Sequence, residues 1–121
     1  MARSSRAHLT GGLFHVTSRG NRGAPVFTGD EDARHFFALF AKVVAKHEWR
    51  CHSYCLMPNH FHLLLTMDHP TLSAGMHELN WRYARWFNLR YGYTGHLFQD
   101  RFFSANLENE AHALEVARYI L

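Results

Sequence analysis

Between Leu13 and Ser18 the chain alternates: Leu13, His15 and Thr17 fall on one side of a period-two pattern, and Phe14, Val16 and Ser18 on the other. Arg19-Gly20-Asn21-Arg22-Gly23 closes it with turn residues, which predicts a first strand. Gly29-Asp30-Glu31-Asp32 then offers a helix start whose acids suit the positive end of the helix dipole. Phe36, Phe37, Phe40, Val43, Val44 and His47 follow at helical spacing, predicting a helix from about Glu31 to about Lys46. Alternation returns from Trp49 to Leu56, Met57-Pro58-Asn59 breaks it, and His60 to Thr66 reads as the leucine-rich second arm of a hairpin.

Asp68-His69-Pro70-Thr71 starts another helix, along which Leu72, Met76, Leu79, Tyr83, Trp86 and Phe87 step by three and four, with Arg82, Arg85 and Asn88 on the opposite side. Gly92 and Gly95 end it. His96 to Asn106 alternates loosely and is expected to be a fourth strand, and Asn109 caps a last helix carrying Ala113, Leu114, Val116, Ala117 and Ile120. The order β-α-β-β-α-β plus a helix predicts an α+β protein of the ferredoxin-like split βαβ plan, an antiparallel sheet with helices on one face. That plan hosts many chemistries and selects none.

Composition narrows the class. A hydrophobic fraction of 47% against 19% charged residues in 121 residues fits one domain with its own core, which excludes a disordered chain. No apolar run approaches the ~20 residues of a membrane span. The formal charge of +3 is modest, but all the basic side chains except Lys42 and Lys46 are arginine, and no acid precedes Asp30. Arginine's planar fork pairs with phosphate and stacks on bases, so an arginine- and aromatic-rich chain suits nucleic acid; a solvated basic surface is the plainer alternative. Cys51 and Cys55, four apart in a strand, would share a face roughly 13 Å apart and cannot pair. No signal-peptide pattern opens the chain, so the expected compartment is the reducing cytoplasm, near the nucleoid. A zinc site joining either cysteine to His52 fails, because in a regular strand His52 faces away from both.

The most informative segment is Pro58-Asn59-His60-Phe61-His62-Leu63-Leu64-Leu65. In a strand His60 and His62 project from one face about 6.7 Å apart at the backbone, so their rings can converge on one ion while Phe61, Leu63 and Leu65 dock on the helices. The alternative is two imidazoles that only hydrogen-bond. Two imidazoles would leave positions open on an ion for a substrate oxygen, and the arginines favour a phosphodiester. Tyrosine is a plausible nucleophile toward phosphorus because a phosphotyrosine conserves the energy of the broken diester. Tyr54, Tyr83, Tyr91, Tyr93 and Tyr119 all compete, and periodicity does not choose among them.

Four spaced strings add to this: Phe14-His15-Val16-Thr17-Ser18-Arg19-Gly20-Asn21-Arg22, Cys55-Leu56-Met57-Pro58-Asn59-His60-Phe61-His62, Gly95-His96-Leu97-Phe98-Gln99-Asp100-Arg101-Phe102 and Ala117-Arg118-Tyr119-Ile120. Together they resemble the single-tyrosine HUH transposase family, in particular its branch associated with repetitive extragenic palindromes. The resemblance covers nearly the whole chain. It implies Mg²⁺ or Mn²⁺ held by His60 and His62, and Tyr119 on the C-terminal helix attacking single-stranded DNA beside a hairpin to leave a 5′-phosphotyrosine and a free 3′-hydroxyl. Arg19 and Asn21 match the family's Arg-Gly-Asn turn. Arg82, Arg85, Gln99 and Arg101 match its polar positions on and after the second helix, which implies phosphate or DNA contact for some of them; the plainer readings are an ordinary solvated face for Arg82 and Arg85 and a backbone hydrogen bond at the strand edge for Gln99.

The family commonly places an Asn or Gln one helical turn after the tyrosine, beyond where this sequence stops at Leu121. The expectation is therefore a single HUH domain over residues 1–121, truncated at its C-terminus. Glu115, one turn before Tyr119, is the candidate third metal ligand; its alternative is a solvated helix residue. The partner expected is single-stranded or hairpin DNA, bound by a monomer or homodimer. The rival function is a degenerate relative that binds hairpin DNA without cutting it. Trp81 is a candidate stacking platform, with a partly buried tryptophan as the commoner reading, and His8, His35, His47, His69, His77 and His96 have no ligand spacing.

Overall fold

The structure is a computed structural model, and it describes residues 12–107. Its elements are β1 (Leu13–Arg19), a short 3₁₀ turn (Asn21–Gly23), α1 (Asp30–His47), β2 (Arg50–Met57), β3 (His60–Thr66), α2 (Leu72–Tyr91) and β4 (Phe103–Leu107). The strands lie in the order β2-β3-β1-β4, each antiparallel to its neighbours. This is the predicted split βαβ sheet; the predicted helix after Asn109 lies outside the described residues.

One face of the sheet builds the core. Phe14 and Val16 of β1 and Phe61, Leu63 and Leu65 of β3 meet Phe36, Phe40 and Val43 of α1 and Met76, Leu79, Tyr83 and Phe87 of α2 in one apolar cluster. Both helices therefore cover the same face, as their apolar stripes require. Asp32, in the first turn of α1, is fully buried and accepts hydrogen bonds from the Thr28 backbone N–H (2.8 Å) and the Tyr91 hydroxyl (2.7 Å), tying the start of α1 to the end of α2. Gly75 of α2 lies against Trp49, where a Cβ would come within 2.3 Å of the indole ring.

The structure departs from the periodicity in two places. A register shift between Cys51 and Ser53 sets Cys51 opposite Leu65, on the helix side, and Cys55 opposite His62, on the open side. A bulge adds a residue to one strand, so the two cysteines fall on opposite faces, not on the shared face that an unbroken strand predicts. The fourth strand begins at Phe103 instead of His96, because Leu97 and Phe98 are both buried and a pleated strand cannot turn successive side chains inward. That segment instead clasps the end of β1: the Asn21 N–H donates to Leu97 O (2.8 Å) and the Gln99 N–H to Arg19 O (2.9 Å).

Candidate functional site

The open face of the sheet carries the histidine pair. His60 and His62 alternate with the buried Phe61, so β3 is anchored by the core on one side and presents both imidazoles on the other, 5.0 Å apart between ring centroids and nearly perpendicular at 85°. Each ring is held through Nδ1. The His60 Nδ1–H donates to Asn59 Oδ1 at 2.7 Å, which leaves the lone pair on Nε2. For His62, the register of β1 with β3 sets Thr17 directly opposite, and Thr17 Oγ1 lies 3.1 Å from Nδ1, with His15 Nε2 at 3.0 Å. The rings of His15 and His62 stack at 5.2 Å.

Both imidazoles are held neutral near pH 7. Burial, and after it the neighbouring His15, His60 and Arg19, push His62 down to about 4. Burial and Arg19 also lower His60. A neutral imidazole whose second nitrogen is fixed by a hydrogen bond is the form that ligates a divalent ion, so the pair fits half of a metal centre. Among the described residues no group of three or more His, Cys, Asp or Glu side chains is disposed as a metal site. Thr17, His15 and Asn59 are the site residues that sequence reasoning missed as participants; the signal was the strand register, which spacing alone does not reveal.

Of the remaining candidates, Arg19 pairs with His60 across the strands. Asn21 opens the 3₁₀ turn beside it, its side chain exposed. Arg85, Gln99 and Arg101 line a groove of about 830 Å³ between α2 and residues 95–102, together with Trp81, which is 56% exposed. Arg82 lies elsewhere, its Nε 3.3 Å from Glu78 Oε2, while Lys46 reaches Oε1 of the same carboxylate at 2.9 Å. The histidine pair does not line the groove, but the two adjoin: the Gln99 N–H bonds the carbonyl of Arg19, the residue opposite His60.

The tyrosines sort by position. Tyr83 is fully buried in the core, where burial, then Asp32 and Tyr91, raise its hydroxyl well above the ordinary phenol range. Tyr54 sits opposite Leu63 on the helix side of the sheet, and Tyr91 and Tyr93 pack beside Phe87 at the end of α2. None of these described tyrosines stands on the histidine face. Tyr119 and Glu115 lie outside the described residues. Among the histidines read as structural, His35 stacks on Trp86 at 4.0 Å and His47 on Trp49 at 5.6 Å.

Comparison with known proteins places this arrangement. Among solved structures the chain is similar to the REP-associated tyrosine transposase bound to a REP hairpin, with a TM-score of 0.75 and 19% identity over 93% of this chain and 66% of that one. It thus spans about two thirds of that relative. A candidate transposase of Deinococcus radiodurans matches with a TM-score of 0.63 and 18% identity over 89% of this chain and 87% of that one. At these identities the likeness is one of fold. No curated protein sequence matches. The sequence model for "Transposase IS200 like" proteins matches residues 9–121, so the span from ahead of β1 to Leu121, with the histidine pair inside it, belongs to the IS200-like transposase family.

Proposed function

We propose that this chain cuts and rejoins single-stranded DNA beside a hairpin, with Tyr119 as nucleophile and His60 and His62 holding Mg²⁺ or Mn²⁺. The observation that carries the reading is the pair of imidazoles that β3 presents on one face, 5.0 Å apart, with the His60 Nδ1–H donating to Asn59 Oδ1 and the His62 Nδ1 beside Thr17 Oγ1 and His15 Nε2. A divalent ion held there supplies polarisation of the scissile phosphodiester and offsets charge on the departing oxygen. The chain's own residues do the rest. Arg19 adds positive charge beside His60, and Arg85, Gln99 and Arg101 guide the strand across the adjoining groove. The Tyr119 hydroxyl gives up its proton and its oxygen bonds to phosphorus, the bond from phosphorus to the 3′-oxygen breaks, and that oxygen takes up a proton to leave as a hydroxyl. Attack by another 3′-hydroxyl reverses the step and joins strands. Family membership and the hairpin held by the structural relative support DNA as the partner.

The test is covalent. End-labelled single-stranded DNA is incubated with protein and Mn²⁺, and a denaturing gel is read for a protein–DNA adduct. The expected adduct is lost in Tyr119→Phe, and is lost on chelation and in His62→Ala. An adduct that survives Tyr119→Phe sinks the assignment, and hairpin binding with no adduct from the unaltered protein establishes the non-cutting rival.

A further inference from the structure

The groove between α2 and residues 95–102 has features that a structural cleft does not need. Trp81 stands on a helix whose other large aromatics are buried or partly buried, yet it is 56% exposed and turned to the groove, with the Arg85 guanidinium 5.7 Å from its ring centroid. Most other described arginines are neutralised: Arg34, Arg50, Arg82 and Arg90 each face an acid, whereas Arg85 and Arg101 have no acid partner among the described residues. Asp100 is the one acid in the lining. Asn80, in the same wall, donates through Nδ2 to Ser18 Oγ at 2.9 Å and keeps an Oδ1 with no partner among the described residues. The volume of about 830 Å³ is in the range of a small-ligand site.

A half-exposed aromatic ring with one cation over it and another nearby is a combination that holds an unpaired base and its phosphate; paired bases in a duplex do not offer their π-faces. The rim of the groove is the segment bonded to Arg19, next to His60. We propose that the groove takes one unpaired nucleotide of the DNA strand adjoining the cleavage point, its base stacked on Trp81 and its phosphates met by Arg85 and Arg101. This rests on the DNA reading above. Trp81 then sets which strand segment is presented to the histidine face, and a hairpin without a single-stranded arm lacks that contact.

The experiment uses the full chain carrying Tyr119→Phe, so that no strand is cut. Fluorescence anisotropy compares one labelled hairpin with the same hairpin bearing a short single-stranded arm of deoxythymidines. The arm is expected to tighten binding about tenfold when residue 81 is Trp, to keep most of that gain in Trp81→Phe, and to lose it in Trp81→Ala. Equal tightening in Trp81→Ala overturns the proposal, as does an arm that adds nothing to the Trp81 protein. Thermal melts of each variant check folding, which an exposed side chain should leave intact. The adduct assay separates the two readings. An arm effect that depends on Trp81, with no adduct from the unaltered chain, removes cleavage and keeps the groove; an adduct with no such arm effect removes the groove alone.

Discussion

At the scale of single residues, the histidine face is set as much by what lies behind the rings as by the rings themselves. Spacing alone exposes His60 and His62, since a period of two fixes their shared face. It cannot expose Thr17 and His15, which stand 45 and 47 residues from His62 and reach it only through the antiparallel register of β1 with β3. Thr17→Val keeps shape and removes the hydroxyl at 3.1 Å, so it tests whether that contact orients His62. Outer-shell hydrogen bonds to ligating imidazoles are worth about 10- to 100-fold in metal affinity. Mn²⁺ titrated into Thr17→Val and, separately, into Asn59→Ala should bind about tenfold more weakly than to the unaltered chain. Unchanged affinity in both would remove the orienting role.

At the scale of elements, Asp32 couples the two helices. Burial alone would raise its carboxyl, but the Thr28 backbone N–H, the Tyr91 and Thr28 hydroxyls and the Arg90 charge outweigh that and hold it below the ordinary carboxylate value. A carboxylate with a depressed native value lends stability that is present above its unfolded value and lost as pH falls through the native one. Urea unfolding of the unaltered chain should therefore weaken as pH drops below about 4, more steeply than in Asp32→Asn, which at neutral pH costs about 1–3 kcal/mol. Parallel pH profiles would show that the coupling is not carried by the charge. Gly75→Ala tests the other helix contact. The added methyl favours helix by about 1 kcal/mol, but it meets a buried Trp49 whose Nε1–H is committed to Thr71 Oγ1 at 2.8 Å. The clash costs about 1–3 kcal/mol and should dominate, lowering the melting temperature. Most of this architecture was legible in the sequence because helices and strands each bury one face. The bulge after Cys51 and the clasp at residues 97–99 were not: the bulge interrupts the period of two, and the clasp gives it up for backbone hydrogen bonds to the end of β1.

For the whole molecule, a formal charge of +3 says little about affinity for a polyanion; what counts is which cations remain unneutralised, and where. Ion pairs with Glu31, Asp68, Glu78 and Asp32 occupy Arg34, Arg50, Arg82 and Arg90. Arg19, Arg22, Arg85 and Arg101 have no acid partner among the described residues: Arg19 ends β1 opposite His60, Arg22 lies in the turn after it, and the others line the adjoining groove. Among the described arginines, those without an acid partner thus lie at the end of β1 and along the groove, a sorting that the sequence, with its arginines spread along the chain, does not display. Counterion release makes binding of a single strand fall with salt at a slope of about −0.7 per phosphate neutralised, so these four cations predict a log–log slope of about −3. Anisotropy titrations of a labelled single strand over about 50–200 mM NaCl measure it. Arg85→Gln and Arg101→Gln should each flatten the slope by about 0.7, while Arg82→Gln should leave it unchanged, because Arg82 already answers Glu78. A slope that flattens equally in all three would mean that the strand follows the helix surface and not the groove.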